Sequence, residues 1–245
     1  MNDATHATRM TPATHDRARP RAKRRWSDLA APSRSLRALL LPALALGWLA
    51  PSFAAAQEKG PLLEKASVSR ARGAEDAPLF VYEFADFECP HCAQFATDVF
   101  PRIDSAFVRT GKVRWIFVNL PLPTHEQAWI AHEAAVCAGA VSNRFWEMHD
   151  RIFEKQKEWA EAADPSAVLA RWAKELGVAI QPFTQCTAND RVASLLLQDV
   201  IFAATSRVNG TPAFIVNNEQ SVMGLKTFEE WKAILEPMIK AKAKD

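Results

Sequence analysis

The chain has 245 residues, of which 24% are charged and 49% are hydrophobic, and its formal net charge is +2. The basic excess lies in residues 1–56, which carry nine Lys or Arg and three Asp or Glu, so the remainder holds 21 basic and 25 acidic side chains. This balance excludes the concentrated basic patch of a nucleic-acid-binding surface. The remainder, about 190 residues, is long enough for one domain with a substantial core.

Residues 1–56 are interpreted as a signal peptide with its leader. A basic, polar segment precedes an apolar stretch at residues 39–49, and the small residues Ser52–Ala56 suit cleavage. The apolar stretch is short and is interrupted by Pro42 and Gly47, which makes it a poor membrane span. An uncleaved membrane anchor is the alternative. We therefore expect export to the periplasm or cell envelope, where disulfides persist.

The first part of the exported chain predicts two strands and a helix. Residues 57–77 are polar and are interpreted as a linker with a short edge strand near Ala66–Ser69. Leu79–Phe84 is a nearly continuous apolar run, typical of a strand buried on both faces. A helix is predicted from Cys89 to about Ser105, and Val113–Val118 forms the second strand.

A helical block is predicted over about residues 122–206. Its helices are indicated by the spacing of Ile130, Ala134, Cys137 and Val141, by Phe145–Asp150, by Pro165–Leu176 and by Asp190–Thr205. The strand pattern returns at Ala213–Val216, turns at Asn217-Asn218 into a strand near Ser221–Met223, and ends in an amphipathic helix from Phe228 to Met238. This order of elements predicts an α/β fold with a helical insertion.

Cys89-Pro90-His91-Cys92 is the most informative motif. A helix N-terminus carries partial positive charge and unpaired N–H groups, so it stabilises the thiolate that acts as nucleophile. We expect Cys89 to expose its sulfur at the helix start, with Pro90 at the first helical position and His91 as a further donor. Cys92 lies one turn further along, close enough to form a disulfide with Cys89.

A zinc site is the alternative interpretation of this spacing, because paired cysteines also bind structural zinc. The other two cysteines, Cys137 and Cys186, are 49 residues apart and offer no second close pair. No metal site is expected, including at His125 and His132, which are placed on one helical face. These two histidines and His149 are expected to be solvated or satisfied within the core.

The CPHC motif, the inserted helices and Gly210-Thr211-Pro212-Ala213-Phe214 together resemble the DsbA family of exported thiol:disulfide oxidoreductases. The resemblance covers about residues 77–245, and Phe145–Phe153 is also similar to that family's helical domain. It implies a thioredoxin-like fold, catalytic cysteines at Cys89 and Cys92, and a cis-proline at Pro212 that faces them.

Two further site residues follow from the resemblance. The backbone of Thr211 would pair with an extended substrate peptide, although a trans proline opening an edge strand is the alternative for Pro212. Glu83 stands where the family has an acid, and a buried carboxyl there would have a raised pKa and could exchange a proton with Cys92. An edge position facing solvent is the alternative for Glu83. Two features affect the oxidising strength of the Cys89–Cys92 disulfide. They are the threonine before the proline and the negative charge of Glu88 beside Cys89.

Cys137 and Cys186 are expected to form a structural disulfide within the helical insertion, because free thiols are a hazard in an oxidising compartment. In the alternative, Cys137 is a small buried residue and Cys186 a free thiol. A bridge requires Cα atoms within roughly 7 Å of each other.

The leading functional hypothesis is an oxidase that introduces disulfide bonds into unfolded or reduced exported proteins through Cys89 and Cys92. The resemblance implies reoxidation by a quinone-linked membrane partner, and we expect a monomer with no cofactor beyond the redox-active disulfide. A disulfide isomerase or reductase of the cell envelope is the first alternative, favoured by Thr211. A zinc-bound or disulfide-stabilised binding module is the alternative from another class.

Overall fold

A computed structural model describes residues 60–242, so the predicted signal peptide over residues 1–56 lies outside the described part. The strands of the described part are β1 (Ala71–Arg72), β2 (Leu79–Ala85), β3 (Val113–Asn119), β4 (Ala213–Val216) and β5 (Gln220–Met223). They form one mixed sheet in the order β1-β3-β2-β4-β5. β2 runs parallel to β3, whereas β1, β4 and β5 each run antiparallel to the strand they join.

The central position of β2 follows from its sequence, Leu-Phe-Val-Tyr-Glu-Phe-Ala, which is apolar on both faces. It pairs with β3 on one side and with β4 on the other. Glu83 is therefore enclosed, with 1% of its surface exposed. The alternative of an edge position facing solvent is wrong for this residue.

A helical stretch follows β2 directly and carries the CPHC motif at its start. It consists of α2 (Pro90–Gln94), a π-helical turn at Phe95–Val99, α3 (Phe100–Ile103) and a second π-helical turn at Asp104–Val108. Pro101 lacks the N–H that an α-helix needs at that position, and wide turns flank the short helix that contains it. The stretch ends at Val108, three residues beyond the predicted end at Ser105.

Six helices lie between β3 and β4, where the helical block was predicted. They are α4 (Ala128–Ser142), α5 (Phe145–Glu154), α6 (Gln156–Ala160), α7 (Pro165–Glu175), α8 (Ile180–Thr187) and α9 (Ala193–Thr205). A last helix, α10 (Phe228–Lys242), follows β5. The predicted α/β fold with a helical insertion is confirmed. Within residues 60–242, no helix is long and apolar enough to cross a membrane.

The prediction of a linker over residues 57–77 is wrong for most of its length. Residues Pro61–Ser69 form the first helix, α1, and β1 follows at once as the edge strand beside β3. Within α1, Ala66 is fully buried and Ser69 is 7% exposed. α1 lies so close to α4 that a Cβ on Gly139 would overlap Ser69 Oγ. Residues 61–69 are only weakly apolar, so their sequence pattern does not indicate that they pack against the rest of the fold. Contact with the helical insertion holds them there.

Candidate active site

The CPHC motif lies at the carboxyl end of β2, where the chain passes into α2. Cys89 is the residue immediately before α2 and has extended backbone angles, and Pro90 occupies the first helical position. Cys89 is 5% exposed and Cys92 is fully buried. The expectation of an exposed Cys89 sulfur is therefore wrong: the residue is almost completely covered by the surrounding segments.

The two thiols have opposite acidities. The pKa of Cys89 falls to about 5, first because the Cys92 thiol donates a hydrogen bond to it and also through the backbone N–H groups of Cys92 and His91. Burial raises the pKa of Cys92 well above its usual value, and the neighbouring Cys89 raises it further. Cys89 is thus the thiolate and Cys92 the thiol. The contribution of His91 comes from its backbone, while its side chain is exposed.

Thr211 and Pro212 form the opposite wall of the site. The peptide bond between them is cis. Because β4 pairs with β2 in the register Phe84 to Ala213, the two residues before β4 lie beside the chain that leads to Cys89. The Thr211 carbonyl oxygen lies 3.6 Å from Cys89 Sγ and accepts its hydrogen bond when the thiol is protonated. Thr211 Oγ1 is buried without a hydrogen-bond partner among the described residues.

Glu83 lies on the central strand beneath the aromatic part of the core. Its Oε2 accepts a hydrogen bond from Trp115 Nε1 at 2.6 Å, and its Oε1 has no partner within the described part of the chain. Burial raises the pKa of this carboxyl to about 8, and the negative charge of Asp150 adds to the rise. Glu83 is therefore protonated at neutral pH.

Asp86 fixes the loop between β2 and Cys89, a role that the sequence reasoning missed. Its carboxylate is fully buried and accepts hydrogen bonds from the backbone N–H of Glu88 at 2.8 Å and of Leu122 at 2.6 Å. His125 Nδ1 lies 2.8 Å from the same carboxylate. The carboxylate of Glu88 accepts a hydrogen bond from the backbone N–H of Gln127, so the segment that leads into α4 holds this carboxylate. A carboxylate three residues before the first cysteine was the available signal.

The two histidines that were placed on one helical face do not share a helix. His125 lies in the loop before α4, whereas His132 lies within α4 and is fully buried. The ring of His132 accepts a hydrogen bond from the backbone N–H of Phe87 at 3.4 Å and lies 2.9 Å from Asn119 Oδ1. Burial lowers the pKa of His132 to about 4, so the ring is neutral. Among residues 60–242, no group of three His, Cys, Asp or Glu side chains is placed to hold a metal ion.

A buried ion pair supports the other end of this hydrogen-bonded chain. Asn119 Nδ2 donates to Asp199 Oδ2 at 2.6 Å, and Asp199 also pairs with Arg70. The chain therefore runs from Arg70 beside β1 through Asn119 and His132 to the backbone of Phe87, two residues before Cys89.

Gln156 of α6 is a second missed residue that touches the site. Its Nε2 donates to the carbonyl oxygens of Phe87 at 2.8 Å and Cys89 at 3.0 Å. It thereby attaches the insertion to the residue that carries the nucleophilic sulfur. No sequence pattern indicates this contact, because Gln156 lies 67 residues from Cys89 along the chain.

Cys137 of α4 and Cys186 of α8 are bonded to each other. Their Cα atoms are 5.9 Å apart, within the range for a disulfide, and the predicted bridge is present. Cys89 and Cys92 are both free thiols, so the site is described in its reduced state.

Comparison with protein families and characterised sequences gives consistent matches. A family model described as Thioredoxin matches residues 65–237. Disulfide bond formation protein D of Bacillus subtilis is 28% identical over 172 residues, which are 69% of this chain and 77% of that protein. Na(+)/H(+) antiporter NhaA 3 of Salinispora tropica is 39% identical over 150 residues, but this match spans 61% of this chain and only 22% of the antiporter's length.

Solved structures agree with the fold. Oxidised BdbD of Bacillus subtilis superposes with a TM-score of 0.64 at 26% identity, over 70% of this chain and 92% of that one. Wolbachia pipientis alpha-DsbA1 superposes with a TM-score of 0.64 at 20% identity, over 71% and 92% of the two chains. At that identity the second likeness concerns the fold alone.

Proposed function

The chain belongs to the thioredoxin family as a DsbA-type thiol:disulfide oxidoreductase, and from this premise we propose that it works as an oxidase, introducing disulfide bonds into exported proteins. The observation that carries the proposal is the opposite acidity of two adjacent sulfurs, a Cys89 thiol with a pKa of about 5 and a buried Cys92 thiol with a raised pKa. This pair can accept electrons from a substrate dithiol without a further cofactor.

The reaction begins from the Cys89–Cys92 disulfide. A substrate thiolate attacks Cys89 Sγ, the bond between the two cysteines breaks, and Cys92 leaves as a thiolate that takes up a proton. A second substrate thiolate then attacks the substrate sulfur of the mixed disulfide and releases the Cys89 thiolate. The substrate leaves with a disulfide, and the two electrons remain on the Cys89–Cys92 dithiol.

The direction of exchange follows from the stability of the reduced state. Hydrogen bonds to the Cys89 thiolate exist only after reduction, so they favour the dithiol and make the disulfide a stronger oxidant. Burial of Cys92 has a second consequence: an incoming thiolate reaches Cys89, which is 5% exposed, and not the fully buried Cys92.

The remaining roles in the site are assigned as follows. The extended segment at Thr211 and Pro212 pairs with the backbone of the substrate, beside the Cys89 sulfur. Glu83, protonated at rest, gives a proton to the Cys92 thiolate during reduction and takes it back during reoxidation. Pro90 and His91 shape the helix start that presents the backbone N–H groups.

The biological setting completes the proposal. Substrates are reduced or unfolded proteins met in the periplasm or cell envelope, to which residues 1–56 direct the chain. A quinone-linked membrane partner reoxidises the dithiol, and the protein works as a monomer. Similarity to Disulfide bond formation protein D of Bacillus subtilis, whose name describes disulfide formation, supports the oxidase part of this proposal.

The test is the redox equilibrium of the Cys89–Cys92 pair against glutathione. An oxidase should be reduced at low ratios of reduced to oxidised glutathione, and Cys92→Ala should trap mixed disulfides with exported proteins whereas Cys89→Ala should trap none. A pair that stays oxidised under glutathione concentrations typical of reducing compartments, or equal trapping by both variants, would sink the oxidase assignment.

An isomerase or reductase is the second candidate, and one observation favours it. The hydroxyl of Thr211 is buried beside the two sulfurs without a hydrogen-bond partner in the described part of the chain. Scrambled and reduced substrate proteins separate the two functions: an oxidase acts on the reduced substrate only, whereas an isomerase restores the scrambled one. A binding module of the third class would show neither activity.

A further inference from the structure

Glu83 Oε1 and His149 Nε2 are among the buried polar atoms that lack hydrogen-bond partners within residues 60–242. Both residues are 1% exposed. A buried polar atom without a partner costs free energy, so each such atom calls for an explanation. The two atoms are chemically complementary, because a protonated carboxyl donates a hydrogen bond and a neutral imidazole nitrogen accepts one.

The two side chains enter the same part of the core. Glu83 of β2 stands opposite Phe117 of β3 in the parallel register, so both side chains project from the same face of the sheet. The ring of Phe117 lies 5.2 Å from the ring of His149, between centroids. Trp115, the hydrogen-bond donor to Glu83, lies 5.2 Å from the ring of Phe100, which is 6.5 Å from the ring of His149.

The other ring nitrogen of His149 contacts a side chain that is exposed to solvent. Nδ1 lies 2.8 Å from Asp150 Oδ1, and 58% of the Asp150 side chain is exposed. With Nδ1–H donated to this carboxylate, the lone pair of the ring is at Nε2, on the buried side. His149 thus joins an enclosed acceptor to an anion in contact with solvent.

We infer that His149 and Asp150 carry protons between the buried Glu83 carboxyl and solvent. The inference rests on the proposed function, in which Glu83 exchanges a proton with Cys92. It adds the part that a buried acid needs in every cycle, namely a route by which the proton is released to water and replaced.

The proton balance closes over the two half-cycles. During reduction Glu83 gives its proton to the Cys92 thiolate; water then returns a proton to Nδ1 through Asp150, and Nε2–H is given to the Glu83 carboxylate. During reoxidation the Oε–H bond of Glu83 breaks, an Nε2–H bond forms on His149, and the Nδ1 proton passes to Asp150 and then to water. The Glu83 carboxylate that remains takes the proton of the Cys92 thiol. No electrons move in either step, and each step restores the tautomer that the other one needs.

The charged groups around the route favour transfer toward the surface. Asp150 has a lowered pKa: burial opposes the shift, but the hydrogen bond with His149 and the charge of Arg72 outweigh it. Arg72 of β1 lies over the ring of Trp146, one helical turn before Asp150. His132 of α4, the other titratable group near His149, is neutral. A proton that reaches Asp150 is therefore released to water and not retained.

The experiment follows the proton of Glu83 directly in the reduced, full-length protein. Rapid mixing into D₂O with time-resolved infrared detection gives the exchange rate of the carboxyl from its carbonyl stretch, and Glu83→Gln assigns the band. We expect His149→Phe, which fits the surrounding aromatic rings, to slow exchange about 100-fold, the low end of the effect of a positioned proton-transfer group. Asp150→Asn, at an exposed position, should slow it less.

Phe145→Leu is the matched control, because Phe145 packs 6.1 Å from the His149 ring and carries no proton. It loosens the same packing and should leave exchange unchanged or faster. Wild-type exchange rates in both His149→Phe and Asp150→Asn, or equal slowing by Phe145→Leu, would overturn the inference. Since the measurement involves no thiol exchange, failure of the oxidase assignment would show in the glutathione equilibrium and not here.

Discussion

The sulfurs of Cys89 and Cys92 share one motif, yet their surroundings give them different chemistry. Cys89 lies where backbone N–H groups converge at the start of α2, and the Cys92 thiol donates to it. Cys92 is one turn inside the helix and has no exposed surface. The difference in acidity between Cys89 and Cys92 therefore comes from their positions relative to the helix end, which the sequence already indicates.

The acidity of Cys89 can be measured by the ultraviolet absorbance of its thiolate. On acidification of the reduced protein, we expect a transition with a midpoint near pH 5. Cys92→Ala removes the largest stabilising contact and should raise this midpoint. Cys89→Ala, the control, should show no transition in this range, and a wild-type midpoint near the value of a free thiol, about 8.5, would contradict the site description.

The same shift couples folding of the reduced protein to pH. Because the pKa of Cys89 is lower in the folded state than that of a free thiol, its contribution to stability is present above the free-thiol pKa and is lost as the pH falls to about 5. The disulfide form has no thiol to titrate. In denaturant unfolding of both forms, we therefore expect the reduced form to lose stability relative to the oxidised form as the pH falls over this range.

At the scale of elements, the insertion is attached to the catalytic loop by side chains and not by the sheet. Gln156 of α6 binds the carbonyl oxygens of Phe87 and Cys89, and the loop before α4 supplies His125 to Asp86. The short helix α6 places its glutamine over the site because α5 ends at Glu154, just before it. Helix boundaries within the insertion thus determine the geometry at Cys89.

Replacement of Gln156 tests this attachment. Gln156→Glu loses both donated hydrogen bonds and places a carboxylate near the Cys89 thiolate, so it should raise the pKa of Cys89 and lower the free energy of unfolding by about 1–3 kcal/mol. Gln156→Met, of similar size and neutral, should destabilise without the electrostatic effect on the thiol. Equal Cys89 titrations in the two variants would show that charge at residue 156 does not reach the sulfur.

The Cys137–Cys186 disulfide joins α4 to α8 and closes a loop with a sequence separation of 49 residues. In the chain-entropy model, a loop of this length contributes about 4 kcal/mol by restricting the unfolded chain. The double variant Cys137→Ala/Cys186→Ala should lose stability of this order in denaturant unfolding. Its Cys89 titration should match wild type, because the bridge lies outside the dithiol site; a loss of well under about 1 kcal/mol would argue against the entropic account.

At the scale of the whole molecule, several ionisable side chains are buried in the fold, and the cost of burying each is offset in one of two ways. Arg70 and Asp199 pair with each other and continue through Asn119. Glu83 has no opposite charge among its contacts and is neutral instead. A neutral buried acid beneath a redox-active dithiol makes global stability depend on pH.

The sign of this dependence follows from the raised pKa of Glu83. Its folded-state pKa of about 8 lies above the ordinary 4.5, so its contribution is present below pH 4.5 and is lost as the pH rises through 8, by roughly 1.4 kcal/mol for each pH unit between these values. Glu83→Gln retains an acceptor for Trp115 and cannot ionise. In denaturant unfolding of the disulfide form, we therefore expect Glu83→Gln to show no such decrease in stability as the pH rises.

Glu154→Gln is the control, because Glu154 is an exposed carboxyl at the end of α5. It should follow the wild-type profile throughout. A Glu83→Gln profile parallel to wild type would mean that Glu83 ionises in the folded state with an ordinary pKa.

The sequence by itself determined the features that depend on local order. The apolar run of β2, the CPHC motif at the start of a helix and the Thr211-Pro212 pair before a strand are all contiguous patterns, and their physics acts over a few residues. The α/β fold with a helical insertion followed from the order of such patterns along the chain.

Which distant groups meet is known only from the fold. The helix at residues 61–69 packs closely against α4 because Gly139, some seventy positions after Ser69, leaves space for that side chain. The sulfur of Cys89 is covered, and Gln156, His132 and Asp86 converge on its loop, through contacts that no local pattern encodes. The physical reason is that burial and hydrogen-bond pairing depend on what lies across space from each side chain, and the chain order alone does not specify that neighbour.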